Sequence, residues 1–165
     1  MAELLILSLG SNLGDRAFAL HQAIGNLRNE VGNLLGVSPV YETEPYAVGN
    51  HPSYLNLVAA FSSRLDPESV LAVTQKIELQ SGRKSKGDLS PRLIDIDLIS
   101  YGEHKIQNEC LVLPHPRLHL RKFVLMPLLD VCPNWKNPST GDPLCDLISN
   151  CTDSFWVEKN SYFIL

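Results

Sequence analysis

An α+β fold is predicted by three features of the chain: strand-like apolar runs, two segments with helical periodicity, and the order in which strands and helices follow one another. The first strand runs from Leu4 to Leu9, and the loop Gly10-Ser11-Asn12-Leu13-Gly14 leads into a helix that opens near Asp15. Leu20, Ile24, Leu27 and Val31 recur at spacings of three and four, so they share one helical face. A strand is expected from about Leu34 to Glu42, interrupted by Pro39, whose missing N–H suits an edge or a bulge. Thr43 to Pro52 reads as a loop, and a further strand follows from Tyr54 to Ser63. Asp66-Pro67-Glu68 is a helix start, with a carboxylate cap and proline in the first turn. Val70, Thr74 and Ile77 form the inner stripe of that helix, which should end at Ser81-Gly82.

The stretch from Arg83 to Ser90 is polar and contains glycine, with little to bury. It is expected to stand open without ligand and to close over substrates. It leads into a strand in which Ile94, Ile96 and Leu98 alternate with Asp95 and Asp97. The resulting order, β-α-β-β-α-β, is that of a ferredoxin-like core. A short hairpin from Lys105 to Val112, a turn at Pro114-His115-Pro116 and a helix from about Lys122 to Leu129 should follow. The remainder reads as an irregular extension with short helices.

At 165 residues, 44% hydrophobic and 19% charged, the chain is expected to form one domain over residues 1–165. A net charge of −4 argues against non-specific nucleic-acid binding, which needs a basic surface. No apolar run is long enough to span a bilayer, and Met1-Ala2-Glu3-Leu4 lacks the charged start of a signal peptide. No membrane association is therefore expected, and the cytoplasm is the expected location. Cys110, Cys132, Cys145 and Cys151 contain no C-x-x-C pair and read as reduced, mainly structural thiols. Asn150-Cys151-Thr152 matches a glycosylation sequon, taken as chance in a chain without a secretory signal.

Two motifs bear on chemistry. The loop from Gly10 to Arg16 joins a strand to a helix but is not a Walker A motif. Asp15 stands where the second glycine belongs, and Arg16-Ala17 replaces the lysine and hydroxyl residue. It reads as a structural turn and cap. Asp95-Ile96-Asp97 is different, because side chains two apart on a strand point the same way. Two such carboxylates repel unless a cation lies between them, and Mg²⁺ favours oxygen donors of this kind, completed by water and phosphate oxygens. Arg83, Lys84, Lys86 and Arg92 precede or flank the pair, and His115, Arg117, His119, Arg121 and Lys122 follow it. Carboxylates for metal with guanidiniums for phosphate are the parts of a phosphoryl-transfer site. A solvated acidic strand with scattered surface bases, as in a regulatory module, satisfies the same pattern. So does another Mg²⁺-dependent nucleotide enzyme such as a nucleotidyltransferase.

Six blocks taken together resemble the 6-hydroxymethyl-7,8-dihydropterin pyrophosphokinase family of the folate pathway. They are Leu9-Gly10-Ser11-Asn12-Leu13-Gly14, Val40-Tyr41-Glu42-Thr43-Glu44-Pro45, Pro52-Ser53-Tyr54-Leu55-Asn56, the run from Gln75 to Arg83, the run from Pro91 to Asp97, and Pro114-His115-Pro116-Arg117. The resemblance implies Mg²⁺-dependent transfer of pyrophosphate from ATP to the hydroxymethyl oxygen of the pterin, leaving AMP. It implies that Asp95 and Asp97 hold two Mg²⁺ ions and that Arg83 and Arg92 join them as catalytic residues. On the nucleotide side it places Glu78, Arg83, Arg92, Leu98, His115 and Arg121. On the pterin side it places Thr43, Pro45, Tyr46, Tyr54, Asn56 and Phe123, with Asp95 reaching the same substrate. No residue stands out as a general base, so positioning and charge stabilisation are expected to carry catalysis. The loop from Lys84 to Ser90 is one residue shorter than in the best-known members and has Leu89 near the place of their tryptophan. A monomer or weak dimer is expected, with the two small molecules as its only partners.

Overall fold

Apolar alternation organises the molecule around an antiparallel sheet. In a computed structural model, residues 1–45, 52–82 and 91–160 are described. The elements are β1 (Glu3–Ser11), α1 (Arg16–Glu30), β2 (Gly32–Val37), β3 (Tyr41–Thr43), β4 (Tyr54–Ser63), α2 (Pro67–Gln80) and β5 (Asp95–Tyr101). A small hairpin of β6 (Ile106–Gln107) and β7 (Val112–Leu113) follows. After it come a 3₁₀ turn at Leu118–Leu120, α3 (Lys122–Val131), α4 (Leu144–Ser149) and β8 (Val157–Lys159). The main sheet runs β5-β1-β4-β3-β8, with β2 also beside β4, and every pairing is antiparallel.

Both helix starts expected from the sequence are capped in the structure. Asp15 accepts from the Phe18 N–H at 3.0 Å and Asp66 from the Ser69 N–H at 2.8 Å, each satisfying a donor the helix cannot. Between α1 and β2 the chain reverses at Gly32, whose φ is +143° and where a Cβ would stand only 2.3 Å from the Ser62 carbonyl oxygen, leaving no room for a side chain.

The two sheet faces differ. On one, Leu5, Leu7, Leu9, Leu57 and Phe61 pack against the inner stripes of α1 and α2, including Leu20, Leu27, Val70 and Ile77. On the other, Ile6, Val58 and Ile99 lie under Leu125, Leu128, Trp135 and Leu144 of the carboxy-terminal elements. Those elements cover only part of that face. Towards its open end the cross-strand rows continue with Ser8 opposite Asp97, and Gly10 between Asp95 and Asn56.

Two expectations need correction. The strand anticipated from Leu34 to Glu42 is two strands, β2 and β3, because the chain leaves the ladder around Pro39. Ser38 spans the gap, donating its N–H to the Val58 carbonyl at 2.9 Å and accepting the Val58 N–H on its hydroxyl at 3.0 Å. The carboxy-terminal extension is also more ordered than its composition suggests, since β8 joins the main sheet beside β3. With one apolar residue in three and a partner more than a hundred positions away, Val157-Glu158-Lys159 carries almost no local strand signal. The loop from Lys84 to Ser90, with Arg83 before it, lies outside the described residues.

Candidate active site

The uncovered end of the sheet is the floor of a cleft of about 690 Å³. Asp95 and Asp97 line it together, while Ile94, Ile96 and Leu98 between them are buried, 1%, 1% and 5% exposed. In this state the carboxylates face arginines. Arg121 donates to Asp97 at 2.8 Å, and Arg92 stands 3.5 Å from Asp95. No group of three His, Cys, Asp or Glu side chains gathers among the described residues. The donor set is thus a carboxylate pair with an open approach. That fits Mg²⁺, which takes one or two protein carboxylates and completes its shell with water and phosphate oxygens.

Arg92 owes its place to Asn12, a residue read from the sequence only as part of a turn. The Asn12 N–H donates to the Arg92 carbonyl at 3.2 Å, and the Asn12 side-chain carbonyl accepts the Arg92 N–H at 2.8 Å. Asn12 is 2% exposed, so this two-point pairing is held inside the protein and fixes the backbone from which the guanidinium extends. The detectable signal was an asparagine flanked by strand and helix, a residue type that bonds backbone groups readily.

Glu78, expected beside the nucleotide, is not part of the cleft lining. It lies on the inner face of α2, four residues after the buried Thr74, and is 2% exposed. Its carboxylate accepts the Ile96 N–H at 2.8 Å. Among the described residues β5 is the outermost strand on that side, so this N–H has no neighbouring strand to pair with, and Glu78 supplies the acceptor. Its contribution is to pin the peptide between the two aspartates.

A second wall gathers Thr43, Tyr54, Asn56 and Phe123 around the same cleft. Asn56 donates to the Thr43 hydroxyl at 2.7 Å, and its carbonyl oxygen lies over Gly10, where a Cβ would stand only 2.6 Å away. Glycine there lets the amide lie flat on the sheet. Pro45 is described but does not line the cleft, and Tyr46 lies outside the described residues. Behind this wall Arg16 donates to Glu42 at 3.0 Å and to the Ser53 carbonyl at 2.8 Å, while the Ser53 hydroxyl donates to Glu42 at 2.6 Å. The Ser53 hydroxyl and the Arg16 guanidinium hold the Glu42 carboxyl below its ordinary range.

His115, Arg117, Arg121 and Leu98 also line the cleft. They are joined by Glu44, Ser8 and the hairpin residues Cys110, Leu111 and Val112, which sequence reasoning did not assign to the site. The His115 Nδ1 accepts the Arg117 N–H at 3.1 Å, so the neutral ring carries its proton on Nε2. Burial pushes its pKa down to about 4, with Arg121 and Arg117 adding to the shift and Asp97 opposing it. A group that titrates lower when folded favours the native state above its unfolded value. That stability is lost as pH falls from about 6.5 towards 4 and amounts to roughly 2–3 kcal/mol. Thermal melts between pH 7 and 4 should therefore fall more steeply for the native protein than for a His115→Gln variant. Parallel curves would remove His115 as the source.

The chain matches the family model described as 7,8-dihydro-6-hydroxymethylpterin-pyrophosphokinase over residues 6–133. It is 45% identical over 141 residues to a 2-amino-4-hydroxy-6-hydroxymethyldihydropteridine pyrophosphokinase of Porphyromonas gingivalis, covering 83% of this chain and 95% of that protein. The enzyme of the same name from Bacillus subtilis is 34% identical over 141 residues, covering 85% and 84% of the two chains. Among solved structures, a Plasmodium falciparum HPPK-DHPS triple mutant with STZ-DHP aligns with a TM-score of 0.73 at 16% identity. That alignment covers 90% of this chain and 43% of the larger protein, a likeness of fold.

Proposed function

Since the chain belongs to the 7,8-dihydro-6-hydroxymethylpterin-pyrophosphokinase family, we propose that it transfers the β,γ-pyrophosphoryl group of ATP to the hydroxymethyl oxygen of 6-hydroxymethyl-7,8-dihydropterin. AMP is the other product, and the reaction serves folate synthesis. The observation that carries this reading is the placing of Asp95 and Asp97 side by side in one cleft with Arg92 and Arg121.

Asp95 and Asp97 would hold two Mg²⁺ ions, which supply charge neutralisation for the phosphate oxygens. The chain's own groups do the rest. Arg92 and Arg121 turn from the carboxylates to the triphosphate, where a planar guanidinium grips two oxygens at once. His115, neutral and donating through Nε2, adds a single hydrogen bond. The family resemblance would add Arg83 as a further nucleotide contact, and Leu98 gives the site an apolar surface, while Glu78 acts from behind by fixing the strand. On the opposite wall Tyr54 and Phe123 offer ring faces to a flat heterocycle. Asn56, oriented by Thr43 and Gly10, presents an amide to its edge, and the family resemblance would add Pro45 and Tyr46 as pterin contacts. Holding the two substrates in line is then the main source of rate, since no side chain among the described residues is placed as a dedicated base.

We further read the strand order β5-β1-β4-β2, with α1 and α2 on one face, as a ferredoxin-like core. On this reading residues 1–165 work as one catalytic unit, a monomer or weak dimer in the cytoplasm, with neither nucleic acid nor membrane as partner. The net charge of −4 supports the last point, and no helix among the described residues is long and apolar enough to cross a membrane.

Incubation with MgATP and the reduced pterin, followed by separation of nucleotides, tests the reaction. AMP should appear in step with a pyrophosphorylated pterin and only with divalent metal present. ADP, free pyrophosphate as in a nucleotidyltransferase, or turnover in excess chelator would contradict it.

A further inference from the structure

We infer that the carboxy-terminal tail, residues 153–160, is a positioning element for the pterin half of the site, with Asp153 as its main contact. This rests on the reading just given. The tail lies beyond residue 133, where the match to the family model ends.

Two walls of the pterin side come from distant parts of the chain, Thr43 on β3 and Phe123 in the first turn of α3. Besides their links through β4, on which α3 packs and with which β3 pairs, they need ties close to the cleft. The tail supplies several within eight residues. Asp153 accepts the Lys122 N–H at 3.0 Å, at a helix start whose own preceding residue, Arg121, provides no side-chain cap. The same carboxylate accepts the Phe155 N–H at 3.1 Å, which fixes its orientation. Trp156 then pairs with Glu44, its carbonyl accepting the Glu44 N–H at 3.3 Å. Val157 lies opposite Thr43 in the ladder, and the Asn160 amide donates to Glu42 at 3.2 Å. One segment thus grips the residue before Phe123 and, four to seven positions later, the strand that carries Thr43.

The arrangement separates positioning from folding. At its far end α3 keeps a second tie to β3 and β8, where Asp130 accepts from Tyr41 and pairs with Lys159 at 3.1 Å. Removing Asp153 should therefore loosen only the first turn of α3. Losing such a cap typically weakens a helix start by about fivefold; asparagine keeps one acceptor oxygen for the Lys122 N–H but cannot accept the Phe155 N–H as well.

The test compares Asp153→Ala, Asp153→Asn and the unaltered protein by calorimetry, titrating the reduced pterin in the presence of Mg²⁺ and a non-hydrolysable ATP analogue, and the analogue alone. For Asp153→Ala pterin affinity should fall about fivefold while nucleotide affinity stays within about twofold, and Asp153→Asn, which keeps one of the two acceptors, should recover part of the loss. Amide exchange at Lys122 and Phe123 should quicken in ligand-free Asp153→Ala. Unchanged pterin affinity, equal loss of both ligands, or an asparagine variant no better than alanine would overturn the proposal. An unaltered protein that binds no pterin would overturn the functional reading and this proposal with it, whereas normal binding with an indifferent Asp153→Ala overturns this proposal alone.

Discussion

Asp97→Ala should abolish turnover, by about a thousandfold or more, while the protein remains folded. Asp97 lines the cleft beyond the packed part of its sheet face, so its loss removes charge at the reacting phosphates and leaves the core untouched. From the sequence alone, two neighbouring carboxylates suggest that deleting one would relieve repulsion and raise the melting temperature slightly. The structure reverses that sign. Arg121 donates to Asp97 at 2.8 Å and is only 14% exposed, so the truncation strands a guanidinium. A fall of a few degrees is expected, corresponding to about 1 kcal/mol. Steady-state assays and a thermal melt would check both halves. Retained activity, or a protein that no longer folds, would exclude Asp97 as a metal-holding group.

Arg92→Ala ranks next, with a loss of about a hundredfold in kcat/KM, or roughly 3 kcal/mol of transition-state stabilisation. The reason is structural as well as electrostatic. Arg92 is fixed through its backbone by Asn12, so the guanidinium starts from a settled position and little conformational freedom is lost on gripping phosphate. Arg92→Lys should recover little of the loss, because a point charge on a flexible stem cannot reproduce a planar two-oxygen contact. A loss below about threefold, or full recovery with lysine, would assign the phosphate to other groups.

What could be read from the sequence was what depends on near neighbours. The common face of Asp95 and Asp97 follows from the period of a strand, and the starts of α1 and α2 follow from Asp15 and Asp66. What could not be read depends on pairings across the fold. Asn12 meets Arg92 eighty positions on, and Glu78 becomes an acceptor for Ile96 only because β5 has no outer neighbour among the described residues. β8 is too short and too charged to announce itself without β3 beside it. The pterin-side residues sort in the same way. Tyr54 and Phe123 are aromatic residues that any core would accept, and only the cleft they share with Asn56 and Thr43 sets them apart.

The pairing of β8 with β3 also bears on solubility. Without the tail, β3 would present a row of unpaired N–H and C=O groups at the margin of the sheet, a template on which another chain could add a strand. β8 takes that position and ends the sheet with Glu158 and Lys159, both exposed and of opposite charge, which discourage further pairing. A chain trimmed to the residues the family model matches would lose this cover and gain an aggregation hazard, even with every cleft residue in place.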